Sequence, residues 1–492
     1  MLLTADYLLN YQRCSRRAFL DRYGNPALKD PTNDYVLKLM QDSLANHQLV
    51  LADLEYERPR YPAGDWQAGF AATQALMAAG VECIYQGILI AEIDGVTLVS
   101  NPDLLVRQPG VSRFGHWLYA PVEIKLSKRS KTEYQIVTAY HVKVLALVQD
   151  AWTETAYLLL REKGEYAIDL WEMIPRMENI LADCIQTLKA DRSPDVFISR
   201  NRCSLCHWYS HCYAIAKETE HLSLLPGITQ SRFNELQALN LTTLASLSTV
   251  IPRDLENLPG FGLETAKRVI RQAKASLNNQ ALPADGYPTH SQRDRFLREM
   301  IPTAAVELYF DIESEPSLEL IYLHGVLVVD RIKQATSFHS FLAQCPEEEA
   351  QVWQQFLELV WAYPTAPIFH FCPYEVQTVN KLAKQYDTPI DQIQPLLPRF
   401  VDLHDIVTLV ATLPVESYAL KNIARWLGFE WRDANANGAQ SIYWYAQWLQ
   451  TGDRTFLDAI QTYNEDDCRA THLIKDWLVD FLQAGRFLAQ SA

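Results

Sequence analysis

The chain has 492 residues, 48% of them hydrophobic and 21% charged, which is an ordinary globular composition on a chain too long for one hydrophobic core. Against 44 Lys and Arg stand 59 Asp and Glu, a net charge of −15. That balance excludes a protein that coats nucleic acid through its overall charge, but not an enzyme that works on it with local basic groups and metal-binding carboxylates.

In chain order, residues 1–80 read as mostly helical, with apolar residues at helical spacing in "YVLKLMQDSLANHQLVLADL". The N-terminus turns basic after its apolar residues, the reverse of a secretory signal, and no apolar run approaches the roughly 18 residues of a membrane span. A cytoplasmic protein with no membrane partner is expected. From Val81 to about Lys125 short β-branched runs separated by turns such as Asp94-Gly95 predict a strand meander. "YQIVTAYHVKVLALVQ" predicts a helix, "ETAYLLLRE" a strand and "LWEMIPRMENILADCIQTLKA" a long helix. "NRCSLCHWYSHC" follows, with three cysteines and two histidines in twelve residues. The stretch 220–277 predicts a small all-helical unit with two Pro-Gly turns, each before a helix, and 278–300 reads as a polar linker. Strands and helices then alternate over 301–486, an α/β domain. The expected class is an α/β multidomain protein. The chain contains no G-x-x-x-x-G-K-[ST], so a motor would have to be supplied separately.

"YFDIES" puts Asp311 and Glu313 two apart on a strand, so both carboxylates leave the same face. Such a pair repels unless a cation joins it, and oxygen ligands suit Mg²⁺ or Mn²⁺. "YNEDDCRAT" places Tyr463 and Asp467 one helical turn apart, and Glu375 follows the apolar strand of "IFHFCPYEV". In this order the residues resemble the DnaQ-like, ribonuclease H-fold 3′–5′ exonucleases of the tyrosine-bearing DEDD class, and more narrowly the YprB-type domains. The resemblance implies that Asp311, Glu313, Glu375 and Asp467 hold two ions and that Tyr463 orients the attacking water. Glu375 stands where the family has aspartate. Asp402 in "RFVDLHDIV" is either an extra ligand or a structural aspartate.

"NPDLLV" and "APVEIKL" give Pro-Asp … Glu-x-Lys, the pattern of restriction-type nucleases. Its chemistry needs Asp103 and Glu123 as metal ligands on adjacent strands and Lys125 on the face of Glu123. An acid-x-Lys on a strand is also the ordinary alternation of a solvated edge. His47 and Gln135 lie where RecB-type nucleases place a histidine ligand and a Gln-x-x-x-Tyr motif. Tyr140 comes one residue late and is turned away from Gln135 on a helix.

The cysteines allow two readings. Cys203, Cys206 and Cys212 with His207 or His211 would make a zinc site. The chain also resembles RecB-type nucleases with an iron–sulfur cluster, in which one cysteine precedes the core and three follow as Cys-x-x-Cys-x(5)-Cys. The resemblance implies that Cys14, Cys203, Cys206 and Cys212 hold a [4Fe–4S] cluster. Residues 220–277 resemble tandem helix-hairpin-helix elements. In the second copy the resemblance puts Gly260, Gly262, Lys267 and Arg268 against a nucleic-acid backbone. Together the resemblances imply a restriction-endonuclease-like core with an iron–sulfur cluster over 1–216, a helix-hairpin-helix unit and a ribonuclease H-like exonuclease domain. The expected activity is phosphodiester hydrolysis in DNA repair or processing, on DNA rather than RNA, with a superfamily 1 helicase as a separate partner. The alternatives are a nucleic-acid-binding scaffold with one or both centres inactive, or a chain in which only the C-terminal centre works.

Overall fold

A computed structural model of the chain describes residues 1–190 and 192–488. It divides into two compact units, Met1–Ile215 and Ala216–Ala492.

In the first unit the helices Ala5–Arg13, Ser15–Tyr23, Asp34–Ala52 and Trp66–Ala78 occupy the N-terminal part. The strand Leu2–Thr4, which pairs in parallel with Val96–Ser100 in a three-stranded sheet, escaped the periodicity, as did the short strand Gly164–Ala167. Runs of three and four residues are too short to show an alternation. A five-stranded sheet runs in the order Cys83–Tyr85, Leu104–Ser112, Gly115–Lys125, Tyr157–Leu160, Gly164–Ala167. Only its third and fourth strands are parallel, joined by the helix Thr132–Gln149. That helix packs on strands of both sheets. Ile136 through Val142 are buried without a gap, so its sequence is apolar all round rather than striped.

In the second unit the Pro-Gly turns are followed by the helices Gln230–Ala238 and Leu263–Asn278. Gly227 and Gly260 adopt φ of 86° and 76°, a left-handed conformation open to glycine at little cost. The first turn lacks a second glycine because Thr229 caps its helix, accepting from the Arg232 amide. Arg232 ties the two turns together, donating from Nε to the Gly260 carbonyl at 2.7 Å and from Nη1 to the Gly227 carbonyl at 2.6 Å.

The segment expected to be a linker, 278–300, carries structure instead. Leu282 and Pro283 pair with Thr412 and Ala411, and the helix Arg293–Met300 packs on the long C-terminal helix Thr455–Leu488. The buried Gln272 amide bonds the Leu413 carbonyl at 2.5 Å and accepts from Tyr418 at 3.1 Å. Residues 220–277 and the α/β domain therefore form one compact unit, because a buried amide and a strand pairing cross the boundary that composition marked.

The α/β domain is built on a sheet ordered Ala335–Leu342, Leu320–Asp330, Val306–Glu315, Ile368–His370, Phe400–Asp402. The first three strands are antiparallel neighbours and the last two join in parallel. Along Val306–Glu315 the side chains alternate: Leu308, Phe310 and Ile312 enter one core with Trp353 and Phe356, and Tyr309 enters another with Tyr463 and Ile474. Asp311 and Glu313 share the face of Tyr309, so they leave the sheet toward the helix Thr455–Leu488. No described helix is long and apolar enough to cross a membrane.

Candidate active centres

Asp311 sits opposite Gly325 on the neighbouring strand. A Cβ at position 325 would collide with Asn464, so the glycine is what lets the long helix press onto the sheet at this level. One turn apart on that helix, Asn464 and Cys468 both lie over Gly325, and the Cys468 thiol donates to the Gly325 carbonyl at 3.6 Å. This approach brings Tyr463 and Asp467 to the strand carboxylates. Asp311, Glu313 and Asp467 each present a ligand oxygen within 4.8 Å of the other two.

Three such groups cannot all ionise in a buried place without a cation. Burial, and then the charges of Asp467, Glu313 and Glu375, hold Asp311 well above the usual carboxylate range. Burial and Asp467 do the same to Glu313, and burial lifts Asp467 to about 7. The donors around them are fixed. Asn464 Nδ2 donates to Asp311 at 2.6 Å, Trp431 Nε1 donates to Asp467 at 2.7 Å, and Tyr463 bonds Asp467. Lys421 stands over the rings of Trp431 and Tyr463 at 5.2 and 5.4 Å.

Glu375 lies outside this three-residue group, although its charge reaches Asp311. Its carboxylate is engaged by His370 Nδ1 at 3.4 Å and by the Cys372 thiol at 3.6 Å. Asp402 caps the helix Leu403–Val410 and accepts from the Cys372 amide, a structural task. It also falls with His404 and Asp405 in a second acidic group.

The comparison with known families bears on this domain. Residues 308–479 match a family model of the RNase H superfamily. No curated protein matches the chain. The C-terminal part of the chain is thus an RNase H-superfamily domain, which supports a nuclease-type hydrolase and implies a nucleic-acid substrate. In that domain Asn464 and Trp431 were invisible to motif reading, because neither belongs to a spacing pattern and each acts through the carboxylate it holds.

In the N-terminal unit, Asp103 immediately precedes one strand and Glu123 and Lys125 end its neighbour. Asp103 accepts from the Ile124 amide at 2.8 Å, and Glu123 accepts from the Asp103 amide at 3.1 Å, so each carboxylate is pinned to backbone beside the other. Lys125 Nζ bonds Glu123 and lies 3.6 Å from Asp103. His47 Nδ1 is 3.9 Å from Asp103. Burial and then the Glu123 charge raise Asp103 to about 7, whereas Lys125 and His141 hold Glu123 well below the carboxylate range despite its burial. Four expected residues, His47, Asp103, Glu123 and Lys125, are therefore near one another, and the donor types suit a divalent ion, although His47, Asp103 and Glu123 do not close into a tight three-ligand group like that of Asp311, Glu313 and Asp467. Gln135 donates to the Ser130 carbonyl at 3.0 Å, bracing the turn after Lys125. Tyr140 is wholly buried, its hydroxyl donating to the Leu3 and Val99 carbonyls. His141, which no motif marked, meets Glu123 Oε1 through Nε2 at 3.2 Å.

Among the described residues no two cysteines form a disulfide. Cys14 caps the helix Ser15–Tyr23, and its charge acts in the same direction, upward, on the pKa of Cys203, Cys206 and Cys212. Burial is the larger cause and pushes Cys206 up to about 11. Arg17 beside Cys206 and Arg16 beside Cys212 act the other way. His207 Nε2 is bonded to Asp21 at 2.6 Å, and the buried Trp208 donates to the same carboxylate at 2.9 Å. In the helical unit Lys267 is paired with Glu264 at 2.7 Å, and Gly260 and Arg268 are exposed.

Proposed function

We propose that the chain is a metal-dependent nuclease with two hydrolytic centres, acting on DNA in repair or processing. The reading assigns 3′–5′ exonuclease activity to the C-terminal domain and a RecB-like centre to the N-terminal unit. The observation that carries it is the buried group of Asp311, Glu313 and Asp467, whose mutual repulsion a divalent cation would relieve. In the C-terminal centre these three residues would hold Mg²⁺ or Mn²⁺, with Glu375 contributing charge. Such ions supply stabilisation of the attacking and leaving oxygens in phosphodiester hydrolysis. Tyr463, fixed by Asp467 and kept protonated by burial, would orient the attacking water. Asn464 and Trp431 hold Asp311 and Asp467 in place before substrate arrives.

In the N-terminal centre His47, Asp103 and Glu123 would hold the ion and Lys125 would meet the phosphate or the water. Cys14, Cys203, Cys206 and Cys212 would carry a [4Fe–4S] cluster. The influence of Cys14 on the other three thiols, the cations beside them and the commitment of His207 Nε2 to Asp21 support iron–sulfur over a zinc site with that histidine. The Gly260 turn, with Gly262, Lys267 and Arg268, would present backbone amides and charge to a phosphate, and a superfamily 1 helicase would act beside the chain. The scaffold reading draws on two facts, that Glu375 lies outside the ligand group and that Tyr140 is turned away from Gln135 into the core.

Labelled single- and double-stranded DNA and RNA, incubated with Mg²⁺ or Mn²⁺, test these readings. Asp311→Ala with Asp467→Ala is expected to remove one activity and Lys125→Ala another. A wild-type protein that cuts none of the substrates would leave the scaffold. A Lys125→Ala protein with intact turnover would leave only the C-terminal centre.

A further inference from the structure

His141 is buried and lies between two strands that the sequence gives no reason to connect. Its Nδ1 is 2.7 Å from the hydroxyl of Ser100, itself fully buried, and its Nε2 is 3.2 Å from Glu123 Oε1. Tyr140 and His141 are consecutive on the helix Thr132–Gln149, so at about 100° per residue Tyr140 turns to the Leu3 and Val99 carbonyls and His141 faces Glu123. Val99 and Ser100 are consecutive on one strand, so the helix takes a backbone carbonyl with one residue and a hydroxyl with the next.

We propose that His141 is the positioning residue of the N-terminal centre: with Ser100 donating to Nδ1, His141 donates from Nε2 to Glu123 and holds that carboxylate in one orientation for a divalent cation. This rests on the reading of Asp103 and Glu123 as metal ligands. Glu123 Oε1 accepts from the Asp103 amide and from His141, while Oε2 faces Lys125. Both oxygens of the carboxylate are thus engaged before an ion binds. Ligand carboxylates are ordinarily oriented in this manner by outer hydrogen bonds, whose loss costs roughly 10–100-fold in metal affinity. His141 acts only through Glu123 and is given no contact with substrate.

The test is Mn²⁺ binding to the full chain, followed by calorimetry and by the electron paramagnetic resonance signal of the ion. It uses an Asp311→Asn, Asp467→Asn background that silences the C-terminal centre. His141→Leu, similar in bulk and without a donor, is expected to weaken binding about 10–100-fold. His141→Gln, whose amide nitrogen replaces Nε2, is expected to restore most of it. Ser100→Ala, which frees the tautomer, is expected to fall between them. Unchanged affinity in His141→Leu overturns the proposal, and so does equal weakness in His141→Leu and His141→Gln. If His141→Leu fails to fold by circular dichroism, His141→Gln and Ser100→Ala decide by the same titration: Ser100→Ala indistinguishable from the background overturns it. If adding Asp103→Asn to the background leaves Mn²⁺ binding unchanged, the ion is not held at this centre, and the underlying reading falls along with the proposal.

Discussion

Asp311 and Asp467 carry opposite demands for stability and for chemistry. A carboxylate raised in the folded state binds more protons there than in the unfolded chain, so stability falls as pH rises between the two pKa values. For Asp467 that window runs from the ordinary 3.8 to about 7. Metal-free Asp311→Asn is therefore expected to be more stable than wild type at pH 8, by about 1 kcal/mol, in denaturant unfolding. The same change should lower the metal-dependent activity of the C-terminal centre by about 10²–10³-fold or more, as loss of one charge-stabilising group does. His324 works with the opposite sign. It is sealed among Phe310, Trp353 and Phe356, neither ring nitrogen is bonded to any described residue, and burial lowers its pKa from 6.5 to about 3. The unfolded chain takes up the proton first, so stability is lost as pH falls from about 6.5 to about 3, on the order of 1.4 kcal/mol per pH unit. His324→Phe is expected to flatten that acid limb in thermal melts at pH 4–6 while leaving the curve above pH 7 in shape. A retained acid limb would assign it to other groups.

The helix Thr132–Gln149 and the strand Leu320–Asp330 each show how one residue sets an element's distance from its neighbour. Tyr140→Phe removes a buried hydroxyl that serves two carbonyls and is expected to destabilise the first unit by about 1–2 kcal/mol. If Tyr140 is a core residue and not a participant in chemistry, turnover at saturating Mg²⁺ should be unchanged, and a large loss of kcat with normal stability would reverse that assignment. Gly325→Ala pushes a methyl group into Asn464 and Phe338. The helix must lift or Asn464 must leave Asp311. A loss of about 1–3 kcal/mol and a drop in C-terminal activity should appear together, because the contact that packs the helix is also the one that sets the carboxylate. Stability lost with activity intact would separate the two.

At the scale of the whole first unit, Cys14 lies near one end of the sequence and Cys203, Cys206 and Cys212 near the other, so a cluster shared by them would close a long loop. A cluster bound there would stabilise the folded chain by removing much of the unfolded chain's freedom. Protein purified without oxygen is expected to be brown and to contain iron, and Cys14→Ser should abolish the colour and lower the melting temperature of this unit. Stoichiometric zinc in place of iron would assign the metal differently.

How much of this was legible in the sequence follows from the range over which each signal acts. Asp311 with Glu313, Glu123 with Lys125, and Tyr463 with Asp467 stand at spacings of two or four, which strand and helix periodicity convert directly into shared faces. The alternation of strands and helices after residue 301 marked the α/β domain for the same reason. By itself the sequence therefore determined the carboxylate pairs, the cysteine spacing and the glycine-dependent turns. Only the tertiary structure decided what touches them: Asn464 over Gly325, Trp431 on Asp467, His141 and Ser100 behind Glu123, Tyr140 in the core, and Gln272 joining the helical unit to the α/β domain. Those contacts join residues tens to hundreds apart, where local periodicity carries no information and packing alone sets the distance.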